Sequence, residues 1–265
     1  MKNQYIGDVG DYGKYSLLQA FVNAGFKVGV NWYLTENDDS NDGKYITYLN
    51  YDHMRQYNPE IFDTLKGIAV RQDKSIADIQ NSSILPDAIF YDEQIDVNGS
   101  PKEREGKRRS WFEKSISVLA DTELIFMDPD NGLMETGIAS KLGAEKYIFP
   151  EEVERYYNEG YNVVYYCHKG RRSYDAWDKY ISLMFDRIPD AKPIVLTYHK
   201  GSQRSYVFLI HENYYKQYRR IIDSFKNRWG KIFSEEYTNK GNIAGAAEGD
   251  VIKVEKADGT TLTIM

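Results

Sequence analysis

Leu124-Ile-Phe-Met127 is a short run of apolar side chains that stops at Asp128-Pro129-Asp130-Asn131-Gly132. A run this short, apolar at every position, has the pattern of a strand covered on both faces. Such strands belong to parallel sheets with helices packed on either side. Pro129 cannot donate to a ladder, and Asn131-Gly132 supplies a tight turn. The carboxyl ends of parallel strands are where open α/β sheets bind ligands. Asp128, Asp130 and Asn131 are therefore candidate catalytic residues, with capping of the turn as the alternative role for the two aspartates.

The rest of the chain repeats the alternation. Residues 27–35, 87–91 and 162–166 read as further strands. Helices are expected over 15–23, 59–81, 111–119 and 174–185. Residues 192–198 and 205–211 form a predicted antiparallel hairpin at the sheet edge, followed by a last helix over 214–229 with Lys216, Arg219 and Arg220 clustered on it. The order predicts an α/β three-layer sandwich with a mainly parallel sheet ending in an antiparallel hairpin. Residues 1–238 form the expected catalytic domain, and 239–265 a linker and a small hairpin around Asp258-Gly259.

Right-handed crossovers bring the parallel strand ends to one edge. Asp92 ends one strand; Cys167-His168-Lys169-Gly170-Arg171-Arg172 ends another; the hairpin loop adds His199, Lys200 and Arg204. His168 can act as base or donor, and the lysines and arginines suit phosphate. The glycine-rich start, Tyr5-Ile-Gly-Asp-Val-Gly-Asp-Tyr-Gly-Lys14, offers Asp8, Asp11 and Lys14; it is not a P-loop, having neither a preceding strand nor a following Ser or Thr. Its glycines Gly7, Gly10 and Gly13 allow unusual backbone angles. Lys107-Arg108-Arg109 beside Trp111 suits a polyanion with stackable bases, or a solvated helix start. The acidic loop 36–43 is expected to be solvated.

A net charge of −6 excludes a broadly basic nucleic-acid binder, so any polyanion must be held by local patches. The lone Cys167 excludes an internal disulfide and a cysteine zinc site, and it reads as a buried inert thiol. No apolar run suits a signal peptide or a membrane span, so a cytoplasmic chain is expected. The 23 tyrosines suit half-buried surfaces and stacking.

Asp128-Pro129 at the end of a middle strand resembles the Asp-Pro-Pro-Tyr turn of amino-methyltransferases. Asp130 and Asn131 depart from that turn, and the first strand lacks the glycine turn such a cofactor needs. The same dipeptide resembles the water-activating turn of the uracil-DNA glycosylase superfamily, with loose echoes of that family's second loop at 168–173 and 199–205. Over its whole length the chain looks like a bacterial family marked by Tyr5-Ile-Gly-Asp-Val-Gly-Asp, Val30-Asn-Trp-Tyr-Leu, Trp111-Phe112 and Asp128-Pro-Asp-Asn-Gly-Leu. That resemblance implies a link to phage-defence enzymes that excise modified cytosines, such as glucosylated hydroxymethylcytosine, from DNA, with no cofactor or metal. Three readings follow. The first is a DNA glycosylase in which Asp128 or Asp130 activates water and Asn131 reads a flipped base. The second is a magnesium-dependent nuclease or phosphohydrolase using Asp92, Asp128 and Asp130. The third is a methyltransferase-like binder of nucleic acid or protein without catalysis.

Overall fold

The computed structural model describes residues 1–38, 43, 45–135, 137 and 139–236, and the backbone of 252–255 and 261–264. The chain opens with helix α1 (Val9–Asn23) and strand β1 (Val28–Asn31), then α2 (Asp52–Arg55), α3 (Pro59–Ala69), α4 (Ile76–Gln80) and β2 (Ile89–Tyr91). Helix α5 (Pro101–Val118) leads to β3 (Leu124–Met127), the short pair β4 (Gly132–Leu133) and β5 (Tyr147–Ile148), and α6 (Pro150–Asn158). Then come β6 (Asn162–His168), α7 (Tyr174–Arg187), β7 (Lys192–Tyr198), β8 (Arg204–Ile210), α8 (Glu212–Trp229) and β9 (Phe233–Glu236). Beyond them β10 (Ile252–Glu255) pairs antiparallel with β11 (Thr261–Ile264). The turn residues Asp258 and Gly259, the linker 239–249 and Asp42 lie outside the described residues.

The main sheet has the order β2-β1-β3-β6-β8-β7-β9. Its first four strands are parallel, β8 runs antiparallel to both β6 and β7, and β9 runs antiparallel to β7. The structure is thus the expected three-layer α/β fold. The β7–β8 hairpin is not the edge, however. β8 sits inside against β6, and β9 covers the outer side of β7.

β3 shows why its sequence is apolar throughout. Leu124 and Phe126 face a core shared with α1, α3 and α8, while Ile125 and Met127 face a second core with α5, α6 and α7. All four side chains are fully buried, as a strand between two helix layers requires. Among the described residues no helix is long and apolar enough to cross a membrane.

Several element boundaries differ from the sequence expectation. α1 starts at Val9, not Tyr15, because Asp8 caps it by accepting from the Gly10 N–H at 2.8 Å. Gly7 is left-handed (φ +88°), but Gly10 and Gly13 are helical. They are small for another reason: a Cβ on Gly10 would lie 2.5 Å from Arg204 Nε, and one on Gly13 would lie 3.0 Å from the Tyr198 ring. The expected 59–81 helix is two helices, α3 and α4. α5 begins inside the expected loop, with Pro101 in its first turn and a Ser100–Glu103 capping box. β1 ends at Asn31 because Tyr33 turns left-handed (φ +45°).

Candidate functional site

The carboxyl ends of β3 and β6, the start of α1 and the start of β8 enclose a cavity of about 300 Å3. The fold thereby brings Asp8, Asp11, Lys14, Asp128, Asp130, Asn131, His168 and Arg204 to one place. Asp128 follows directly from the point where β3 stops. Lys14 is delivered from the first turns of α1, which the Asp8 cap and the Gly7 N–H to Asp11 Oδ2 bond (2.9 Å) hold in position.

Lys14 is the centre of the charge arrangement. Its ammonium lies 2.8 Å from both Asp11 Oδ1 and Asp128 Oδ2, and all three side chains are buried. The Tyr15 and Trp32 rings flank it at 4.8 and 5.5 Å. Burial pushes the Asp11 and Asp128 carboxyls above the ordinary aspartate value, although Lys14 pulls the other way. Burial also opposes the lysine charge, but two carboxylates outweigh it and hold the ammonium well above its usual value. One lysine cannot satisfy two aspartates completely. Asp128 Oδ2 is engaged, and Oδ1 has no hydrogen-bond partner among the described residues.

Asp130 has a different environment. The Met1 ammonium faces Oδ1 at 2.7 Å as an ion pair without hydrogen-bond alignment, and the Thr35 hydroxyl donates to Oδ2 at 3.1 Å. The Met1 ammonium also donates to the Tyr33 carbonyl (2.9 Å) and the Asp128 carbonyl (3.2 Å). Tyr33, fully buried and left-handed, is anchored by its hydroxyl donating to Glu152 at 3.1 Å. A bulky residue in that conformation is strained and is held there by its surroundings.

On the β6–β8 side Arg204 Nη2 donates to Asp8 Oδ1 at 2.7 Å. His168, directly opposite Arg204 in the strand register, is held below the ordinary histidine value by burial and by the Arg204 and Arg172 charges. Its imidazole is therefore neutral at neutral pH, and it makes no side-chain hydrogen bond among the described residues. The Asn131 N–H donates to the Lys146 carbonyl, leaving its carboxamide unpaired among the described residues. The cavity thus offers one carboxylate oxygen, one neutral imidazole and one carboxamide beside the rings of Tyr166 and Tyr206.

The remaining candidates lie elsewhere. Asp92 accepts from Gln80 (3.1 Å), beyond the end of the outer strand β2. Lys169 sits 3.7 Å over the Tyr174 ring, Arg171 is exposed without a partner among the described residues, and Arg172 pairs with Glu135 (3.0 Å) over the Tyr180 ring. His199 bonds Ser234 (2.7 Å), and Lys200 contributes its carbonyl to Arg204 (2.9 Å). None of these lines the cavity. The basic run before Trp111 is dispersed: Lys107 pairs with Asp96, Arg108 is buried on Glu152, and Trp111 is itself buried. Among the described residues no group of three or more His, Cys, Asp or Glu side chains could hold a metal ion, and Asp92, Asp128 and Asp130 do not converge.

Tyr166, Tyr206 and the Met1 ammonium also line the cavity and are not among the candidates that the sequence offers. Alternation along β6 and β8 signals that Tyr166 and Tyr206 share the α1 face, but only the pairing of Tyr166 with Tyr206 across the two strands shows that they meet. No protein-family model matches the chain, and no curated protein is similar to it.

Proposed function

We propose that this protein is a hydrolase that cleaves the N-glycosidic bond of a modified base flipped out of DNA, leaving an abasic site. The observation that carries this reading is Asp128 Oδ1, without a hydrogen-bond partner among the described residues and fixed by Lys14 through Oδ2, in a cavity that also presents Asn131 and His168. Glycosidic cleavage passes through an oxocarbenium-like state, which a fixed carboxylate stabilises while directing water. Water oxygen bonds to C1′ of the sugar, its proton passes to Asp128 Oδ1, and the C1′–N bond electrons leave with the base. The Asn131 carboxamide can donate to and accept from the edge of the base, and Tyr166 and Tyr206 provide ring surfaces against a planar ligand. A cavity of about 300 Å3 is at the lower end of ligand sites and suits a base with its sugar.

The magnesium reading loses its donor set, because Asp92 is tied to Gln80 away from the cavity. A methyl-donor cofactor would need an open glycine turn after the first strand. Here β1 runs into Trp32 and Tyr33, both fully buried, with the Met1 ammonium bonded to the Tyr33 carbonyl. The resemblance to phage-defence enzymes supplies the substrate class, a cytosine modified at its exposed edge, such as glucosylated hydroxymethylcytosine.

The test is incubation of the protein, with EDTA present, with unmodified and glucosylated hydroxymethylcytosine DNA, followed by alkali. Alkali-labile sites in the modified DNA alone are expected, and none with Asn131→Ala. Strand breaks that need magnesium and no alkali, or no product on either DNA, would overturn the reading.

A further inference from the structure

The cavity has little free positive charge, since Lys14 and Arg204 are both committed to aspartates. A DNA ligand must therefore be held elsewhere, and the helix layer on the α1 face contains such a place. A groove of about 600 Å3 runs between α1 and α8. Its α1 wall is the stripe Ser16, Gln19 and Asn23, one face of the helix at i, i+3 and i+7. Its α8 wall carries Arg220 and Arg228. A second concavity of about 350 Å3 shares Arg228 and continues to Lys231.

Neither concavity has a carboxylate in its lining, in a protein whose net charge is −6. Two other cavities differ: the site at the strand ends is lined by four aspartates against Lys14, Arg204 and the Met1 ammonium, and the hollow beside Lys2 contains Glu36, Asp38, Asp96 and Glu145. The two arginines are also unusual among their kind. Among the described arginines only Arg109, Arg171, Arg220 and Arg228 make neither a salt bridge nor a hydrogen bond, and two of these four flank this one groove. Arg219, one residue from Arg220, shows the contrast, because Asp223 and Glu235 neutralise it. In the groove lining the Ser16 hydroxyl is buried and has no partner among the described residues. The amides of Gln19 and Asn58 line the wall and bond each other, and Gln19 also donates to the Glu60 carboxylate (3.2 Å), which lies outside the lining.

We propose that this α1–α8 groove, with its extension to Lys231, is the track for a phosphodiester backbone. Arg220 and Arg228 are eight positions apart on one helix, on the order of 12 Å along its axis, comparable with the width of the DNA major groove. They can therefore hold two separate phosphates of one duplex. The chain direction supports the placement. α8 runs back toward the edge that holds the cavity, and near its end Trp229 packs against Tyr12, one turn along α1 from Asp8. This inference rests on the DNA reading of the cavity but makes a separate demand, since backbone contacts carry no base specificity.

The test is fluorescence anisotropy with an unmodified labelled duplex across a salt series. The proteins compared are wild type, the Arg220→Ala/Arg228→Ala double variant and an Arg109→Ala control, each with its melting temperature recorded. Wild type should bind with a steep salt dependence. The double variant should reduce the slope of log K against log salt by about 1.8, two contacts at about 0.9 each, with an unchanged melting temperature. Arg109→Ala should behave as wild type. An unchanged slope in the double variant, or no duplex binding by wild type even at low salt, overturns the inference. The abasic-site assay is independent. Abasic sites with an unchanged slope sink the groove and leave the glycosylase; a reduced slope without abasic sites leaves the groove and sinks the glycosylase.

Discussion

Two buried ion pairs lie on opposite faces of the main sheet, and they are built to different ends. On the α5–α6 side Arg108 Nε and Nη2 both reach Glu152, at 2.7 and 2.9 Å, and Nη2 also reaches the Tyr147 carbonyl at 2.9 Å. Glu152 Oε2 further accepts from the Tyr33 hydroxyl and the Phe149 N–H. The rings of Tyr33, Trp111 and Phe149 surround the guanidinium at 4.8–5.3 Å. Both Glu152 oxygens are engaged, as are Arg108 Nε and Nη2, and the pair does not line the cavity. On the α1 side Lys14 is shared by two aspartates, and one Asp128 oxygen is left beside a cavity. A carboxylate with both oxygens engaged, away from any cavity, holds structure. An unsaturated pair next to a cavity has capacity left for water and substrate.

Removing one partner at a time separates the two pairs. Glu152→Ala leaves a charged Arg108 in an apolar shell and should cost about 3–5 kcal/mol in chemical denaturation. It should also release Tyr33, and with it the Met1 ammonium that faces Asp130. A change below about 1 kcal/mol would show that the pair is not structural.

Lys14→Met should cost a similar 3–5 kcal/mol near neutral pH, but with a pH dependence that Glu152→Ala lacks. Asp11 and Asp128 are already raised by burial, and losing Lys14 raises them further. For a carboxyl whose folded value lies above its unfolded one, the folded state binds more protons, so stability is regained as pH falls through the folded value. The variant should thus approach wild type on acidification. In glycosylase assays the acidic limb of any residual activity should move to higher pH. A melting-temperature difference independent of pH would count against Lys14 as the ion that holds both acids charged.

Gly10→Ala has a smaller expected effect and a diagnostic sign. Helix propensity alone predicts a gain of about 1 kcal/mol. The new Cβ would meet Arg204, which is pinned to Asp8, so a loss of about 1–3 kcal/mol is expected instead. Thermal denaturation decides the sign, and a gain would show that Arg204 moves aside freely.

The smallest effect belongs to His168→Gln. The folded imidazole is held below its ordinary value, so the unfolded chain protonates first, and wild type loses stability as pH falls below about 6.5. The glutamine variant lacks this loss. The two proteins should therefore differ in their pH slope only on the acidic side, and parallel curves would contradict a buried neutral imidazole.

The apolar run at 124–127 announced both the sheet and the position of Asp128, because burial on two faces and a proline stop are local properties of the chain. Asp8, Asp11 and Lys14 were also visible as polar residues in a glycine-rich start, but not the reason for the glycines. Gly10 and Gly13 answer to Arg204 and Tyr198, far away in sequence. The charge partners were equally hidden. Lys107-Arg108-Arg109 reads as one basic patch, yet the helix sends Arg108 inward to Glu152 and leaves Arg109 in solvent. The start of α5 was legible in Ser100-Pro-Lys-Glu103, a capping box that turn-rich neighbours disguised as a loop. Left-handed Tyr33 could not have been anticipated, since its strain is maintained by contacts from α6 and the N-terminus.

The most direct test of the central claim is single-turnover release of free base from glucosylated hydroxymethylcytosine DNA by wild type and Asp128→Asn, with duplex affinity measured in parallel. Asparagine keeps the shape and leaves Lys14 its Asp11 partner, so folding and DNA affinity should persist while release falls at least roughly 100-fold. Release at the wild-type rate by Asp128→Asn would contradict the account, since Asp128 Oδ1 would then have no part in the chemistry.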